Sequence, residues 1–184
     1  MPDHTGNSPG IYLKTSIMLI LITCVIAGGV SAQPSFSPDQ GKIPLKIQFT
    51  FPGGDACDSV SWEFGDGETS RETGPQHTYQ NMGFFYPRVI CTLPGATVTY
   101  AFDKIVGSNA EMPDADSNDQ HYPVETIVEI SPATPGLDDL LKQADGLYAL
   151  GLSGYAADAY KKAIPLSGSD PQVIGKYGDI GGLE

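Results

Sequence analysis

The chain is 184 residues long, 40% hydrophobic and 17% charged, a folding composition that excludes a disordered tail and a polytopic membrane protein. Its 22 Asp and Glu against 10 Lys and Arg leave a formal charge of -12, the wrong sign for gripping nucleic acid, where clustered cations must displace counterions. With 22 Gly and 15 Pro the chain favours turn-rich β structure, and three His with three Cys leave little for a zinc or nucleophile centre.

Residues 17–27 (IMLILITCVIA) are apolar, with Lys14 the nearest preceding cation, and the run softens into the small-x-small ending Val30-Ser31-Ala32. Cleavage after Ala32 makes residues 1–32 a signal peptide. The run is shorter than the roughly 20 residues a membrane span needs, yet the long leader carrying Asp3 also fits an uncleaved anchor over residues 15–32. Either way the bulk of the chain is expected outside the cell, secreted or at its surface. Cys24 follows Thr23, where lipoprotein sites carry Gly, Ala or Ser.

Next, Leu45, Ile47, Phe49 and Phe51 alternate with Lys46, Gln48 and Thr50, the period of a half-buried strand. Val60, Trp62 and Phe64 repeat it until Gly65-Asp66-Gly67 turns the chain. A run over 85–93 puts Phe85, Val89, Cys91 and Leu93 on one face, with Pro87 predicting a bulge or an edge position because it lacks a ladder donor. After Pro94-Gly95, residues 97–106 place Val98, Tyr100 and Phe102 in phase. Short strands at this spacing predict a small antiparallel β-sandwich over 33–107. Within it Cys57 and Cys91 are an even pair, able to form a disulfide in an oxidising compartment or to pack as two free thiols.

Three motifs are specific. Trp62-Glu63-Phe64-Gly65-Asp66-Gly67-Glu68-Thr69-Ser70 is followed by Pro75-Gln76-His77-Thr78-Tyr79 and then Gly83-Phe84-Phe85. This order resembles the signature of PKD domains, the polycystic-kidney-disease-type immunoglobulin-like sandwich, and Pro44 to Thr50 is similar to that family's early strand. Glu63 stands where the family has Asp, Phe85 where it has Tyr, and Pro87 where a strand residue is usual. On this reading Trp62 and Phe64 are core residues, Gly65 and Gly67 relieve the turn around Asp66, and His77 and Tyr79 sit where the chain crosses between sheets. No acid partner or nucleophile shares the motif of His77, so packing is expected of it rather than catalysis.

Residues 108–136 read as an acidic, Pro-containing linker. Positions 109–145 hold nine acids against one base, Lys142. Val124, Ile127, Val128 and Ile130 make one apolar segment in it that could add a short strand. Asp114, Asp116, Asn118 and Glu125 have the oxygen spacing of a calcium loop, although Asp119 stands where the turn glycine belongs and no helices are expected to flank it. From 137 the period becomes helical: Leu137, Leu140, Leu141, Ala144, Leu147 and Tyr148 share one face, with Thr134-Pro135 expected to cap it. A second helix over 155–164 presents Tyr155, Ala159, Tyr160 and Ala163. Ala144, Tyr148, Gly151, Tyr155, Ala159, Tyr160 and Ala163 resemble one tetratricopeptide (TPR) repeat, a helical hairpin within 137–184. One such unit cannot bury both faces, so it must dock on the sandwich, pair with another copy, or belong to a longer array. Asp170-Pro171 looks like the start of a third piece, but the glycines 175, 178, 181 and 182 do not suit a capping helix.

No nucleophile elbow, zinc-helix or phosphate-loop pattern is present, and a non-enzymatic chain is expected, with no cofactor unless calcium binds. The PKD resemblance implies a spacer or contact module for a protein or a glycan, and the TPR resemblance implies an added protein-binding or self-association face. Phe84, Tyr86 and Tyr122 are the expected contact aromatics, against ordinary strand packing. Two alternatives are a membrane-anchored structural protein of the envelope and an accessory binding module separated from a larger secreted hydrolase.

Overall fold

The computed structural model describes residues 32–112 and 119–181. The leader 1–31 and the calcium-loop candidates Asp114, Asp116 and Asn118 lie outside the described residues. Among the described residues the chain forms three sheets followed by three helices. In the first, β3 (Leu45–Thr50) pairs antiparallel with β1 (Ser35–Ser37) and β6 (Gln76–Tyr79). In the second, β10 (Ile105–Ser108) pairs parallel with β2 (Gln40–Lys42) and antiparallel with β7 (Gly83–Phe85). The third runs in the order β11 (Glu125–Ile130), β9 (Ala96–Ala101), β8 (Arg88–Leu93), β4 (Ser59–Glu63), β5 (Thr69–Ser70), all antiparallel.

The alternation of the strands becomes alternation of burial: Leu45, Ile47 and Phe49 are buried and the residues between them are not. Trp62 is fully buried, 5.0 Å from the ring of Phe49 on the first sheet and 5.9 Å from that of Phe102. Phe36, Phe49, Trp62, Phe64, Tyr100 and Phe102 thus join the first and third sheets across one aromatic core. Cys57 and Cys91 are bonded, their Cα atoms 5.5 Å apart. The disulfide tethers the short 3-10 turn Pro52–Ala56 to the middle of β8. It suggests an oxidising environment.

Four expectations are corrected. The run 85–93 is two strands: the chain leaves the second sheet after Phe85 and enters the third at Arg88, so Pro87 occupies the gap where no ladder donor is needed. The segment expected as a linker is structured where its apolar run allowed a short strand: it supplies β11, which pairs with β9 along its whole length. Ahead of it, His121 forms a backbone bridge to Phe36 of β1. The helical region is three helices, α1 (Leu137–Ala149), α2 (Ser153–Leu166) and α3 (Pro171–Gly181), rather than a hairpin. Despite its glycines α3 forms because Val173, Tyr177 and Ile180 pack on the cluster of Leu140, Ala144, Ala159, Tyr160 and Ala163. The Thr134-Pro135 cap is absent; Gly136 is the N-cap of α1, without a side-chain bond.

Helix α1 has two buried sides. Leu140 and Ala144 meet α2 and α3, while Leu147, together with Leu150 and Ala156 just beyond it, joins the core under the sheets. Gln143 is buried and donates to the Pro94 carbonyl at 2.9 Å. The helices therefore dock on the β structure. Tyr148 and Tyr155, expected on the apolar faces, are exposed instead. No helix among the described residues is long and apolar enough to cross a membrane.

Candidate functional site

The turn between β4 and β5 is built so that a charged side chain can be held beside the core. Gly65 has φ +88°, and a Cβ there would lie 2.7 Å from the backbone nitrogen of Tyr86. Only glycine lets the turn rest directly on the chain as it leaves β7. Asp66 then turns inward: its Oδ1 accepts the Glu68 amide at 3.0 Å and its Oδ2 accepts from His77 Nε2 at 2.7 Å. The other ring nitrogen, Nδ1, lies 3.6 Å from Glu68 Oε2. His77, expected to lack an acid partner, thus faces two, both from the turn 11 and 9 positions before it.

The imidazole is buried, lies flat on Phe64 at 4.1 Å and meets Tyr79 edge-on at 4.5 Å. The Tyr79 hydroxyl donates to the Phe64 carbonyl at 2.8 Å. Burial, and secondarily the nearby charge of Asp66, push its pKa well above the tyrosine range, so it stays a neutral donor. His77 and Tyr79 of β6 therefore pin the turn of the third sheet from the first. The motif residues Trp62, Phe64, Gly65, Asp66, Gly67, His77 and Tyr79 are one connected structure.

Beside this turn lies a cleft of about 610 Å³, lined by the turn glycines, Glu68, Tyr86, Pro87, Phe102 and Val124, with Glu63, Arg88 and Glu125 supplying charge. Glu63 and Arg88 stand opposite each other in the β4–β8 register, and Arg88 Nε and Nη2 reach Glu63 Oε2 at 2.7 and 2.6 Å. That pair neutralises itself, which leaves the lining with the carboxylates of Glu68, which faces His77, and Glu125. Among the described residues no three His, Cys, Asp or Glu side chains converge to hold a metal ion. Glu125, the one calcium candidate within them, is an exposed residue of β11.

Of the expected contact aromatics, Tyr86 lines the cleft and Phe84 stands on the same outward row. Met82, Phe84 and Tyr86 are 59%, 63% and 61% exposed, while Phe85 between them is buried and stacks on Tyr79 at 4.3 Å. Phe84 lies on β7 and Met82 and Tyr86 flank it, so three exposed apolar side chains at alternate positions form a stripe beside the cleft that Tyr86 lines. Tyr122 is also exposed but does not line the cleft. The reading of the sequence missed Met82, Val124 and the Glu63–Arg88 pair. The outward phase of Met82 and Arg88 was available from the alternation; the pairing of Arg88 with Glu63 depends on a register that no local pattern encodes. No protein-family model matches the chain, and no curated protein matches it significantly.

Proposed function

We propose that the chain is a non-catalytic interaction module of the cell exterior, a PKD-type immunoglobulin-like sandwich carrying TPR-like helices. It contacts a protein or a glycan through the stripe Met82, Phe84, Tyr86 and the adjoining cleft. The observation that carries the reading is the stripe: three large apolar side chains at alternate positions, each about three-fifths exposed. Contiguous exposed apolar surface of this kind marks contact sites, and the ring of Tyr86 at the mouth of a cleft suits stacking on an apolar ligand face.

His77 supports the non-catalytic part. It is hydrogen-bonded to Asp66 as a catalytic histidine is to its orienting acid, but its second nitrogen faces Glu68. Its ring is buried, flat on Phe64 and edge-on to Tyr79, which suits packing rather than access to a substrate. The disulfide supports an extracellular setting.

The test is a glycan array probed with purified protein, alongside proximity labelling of surface proteins on the producing cells. Phe84→Ser and Tyr86→Ser alter exposed positions and are expected to fold normally and to lose at least tenfold of the signal on whichever panel responds. Signal unchanged in both variants would move the contact surface elsewhere.

A further inference from the structure

The outer edge of β11 is the longest open strand edge among the described residues. Its six residues pair with β9 on one side and with no strand on the other. The opposite edge of the same sheet, β5, is two residues long. The Ser131 amide donates to the Gly95 carbonyl at 2.8 Å, which continues the β11–β9 ladder and sets its phase. By alternation, Glu125, Ile127 and Glu129 give their backbone groups to β9, and Thr126, Val128 and Ile130 turn theirs to the open edge. None of the usual guards against strand addition, a lysine, a proline or a bulge, interrupts the segment.

Its side chains carry a pattern. Val128 packs against the core, so Glu125, Ile127 and Glu129 occupy the opposite face, where all three are exposed. That face reads acid, apolar, acid, and neither glutamate has an ion-pair partner among the described residues. We propose that this edge takes an extended cationic segment of a partner protein as a further strand of the sheet, with Lys or Arg opposite Glu125 and Glu129 and an apolar residue opposite Ile127. Backbone bonds to Thr126, Val128 and Ile130 supply the grip and the alternate side chains the selectivity. Opposite charges facing each other across strands attract, and the charge of -12 draws a basic chain from a distance.

A second copy is disfavoured in the register that matches the apolar residues. Pairing β11 antiparallel with itself so that Ile127 meets Ile127 sets Glu125 against Glu129 at both ends. The carboxylates that repel another copy are those that recruit the cation. The inference does not depend on the contact stripe, since Phe84 and Tyr86 take no part in it; Glu125, which also lines the cleft, is common to both.

The probe is an acetylated, amidated decapeptide of sequence KTVTKTVTKT, which sets Lys, Val and Lys at alternate positions of one face, followed by fluorescence anisotropy at low salt. Two controls accompany it: the same peptide with Glu for Lys, and a Lys peptide of equal charge with proline at every third position. The first peptide is expected to bind at least tenfold more tightly than either control and to slow hydrogen exchange at the Thr126, Val128 and Ile130 amides. Thr126→Pro removes an outward donor while sparing the bonds to β9 and is expected to lower affinity at least tenfold. The double change Glu125→Lys, Glu129→Lys is expected to reverse the preference toward the Glu peptide. Equal binding by the proline-broken peptide, unchanged affinity in Thr126→Pro, or no binding at all would each overturn the proposal. So would loss of binding in Tyr86→Ser alone, or a dimer of the free protein that Thr126→Pro dissociates.

Discussion

His77 is held on four sides, by Asp66, Glu68, Phe64 and Tyr79, and its removal should be felt as structure. In His77→Gln the amide cannot reproduce the flat stack on Phe64 and meets Asp66 with different geometry. Losing a buried charge-assisted hydrogen bond costs about 1–3 kcal/mol, expected as a lower urea midpoint with an unchanged slope. Asp145 shows the opposite arrangement, a charge near the surface. Burial alone would raise its pKa, but hydrogen bonds from Lys176 and Tyr160, with the charge of Lys176, hold the carboxyl below its ordinary 3.8. A carboxyl depressed in the folded state stabilises that state above the unfolded value, and the contribution disappears as pH falls through the folded value. Side chains of Asp145 and Lys176 are each half exposed, so the contribution is about 0.2–1 kcal/mol. Asp145→Asn is therefore expected to unfold at lower urea than the native protein at pH 7, with the difference shrinking as the pH falls below 3.8.

At the scale of elements, two glycines in neighbouring helices predict opposite outcomes. Gly146 of α1 lies against the sheet: a Cβ there would meet Leu93 at 2.5 Å and the Ala56 carbonyl at 3.3 Å. Gly146→Val should destabilise by about 1–3 kcal/mol through overpacking. Gly154 of α2 has open space around it, and Gly154→Ala should stabilise by about 0.5–1 kcal/mol through helix propensity alone. Urea titration of both variants reads the difference.

The elements also show how far local pattern reaches. Strands β3, β4, β8 and β9 were legible because one face is buried and the other wet, which writes period two into the chain. Strand β11 was legible only as an apolar segment that could add a short strand: Val124, Ile127 and Ile130 are all exposed, its apolar residues keep no period, and its surroundings are acidic. Helix α3 was missed because Gly175 and Gly178 argue against a helix in isolation, whereas Val173, Tyr177 and Ile180 stabilise it only through contacts with α1 and α2. The partners of His77 and Arg88 come from strands and turns whose register is set by the assembled sheet.

Taken whole, the molecule has no gap between its sheets and its helices. Leu147, Leu150 and Ala156 belong to the same buried cluster as Trp62 and Phe49, and Gln143 ties α1 to the β8–β9 turn. Unfolding is therefore expected to be cooperative. Trp62 is the single tryptophan and reports on the sheets by fluorescence, while circular dichroism at 222 nm reports chiefly on the helices. The two urea transitions should coincide, and an earlier dichroism transition would show that the helices melt independently.

The covalent ring closed by Cys57 and Cys91 has a bearing on survival outside the cell. It encloses the turn around Asp66, His77, the row from Met82 to Tyr86 and Arg88, and residues 71–74 within it are all exposed. A trypsin-like protease cutting after Arg71 would open the backbone inside that ring without releasing either piece. The nicked protein would gain the mass of one water, separate into two bands only after reduction, and keep the cleft walls joined through sulfur and the β4–β8 ladder.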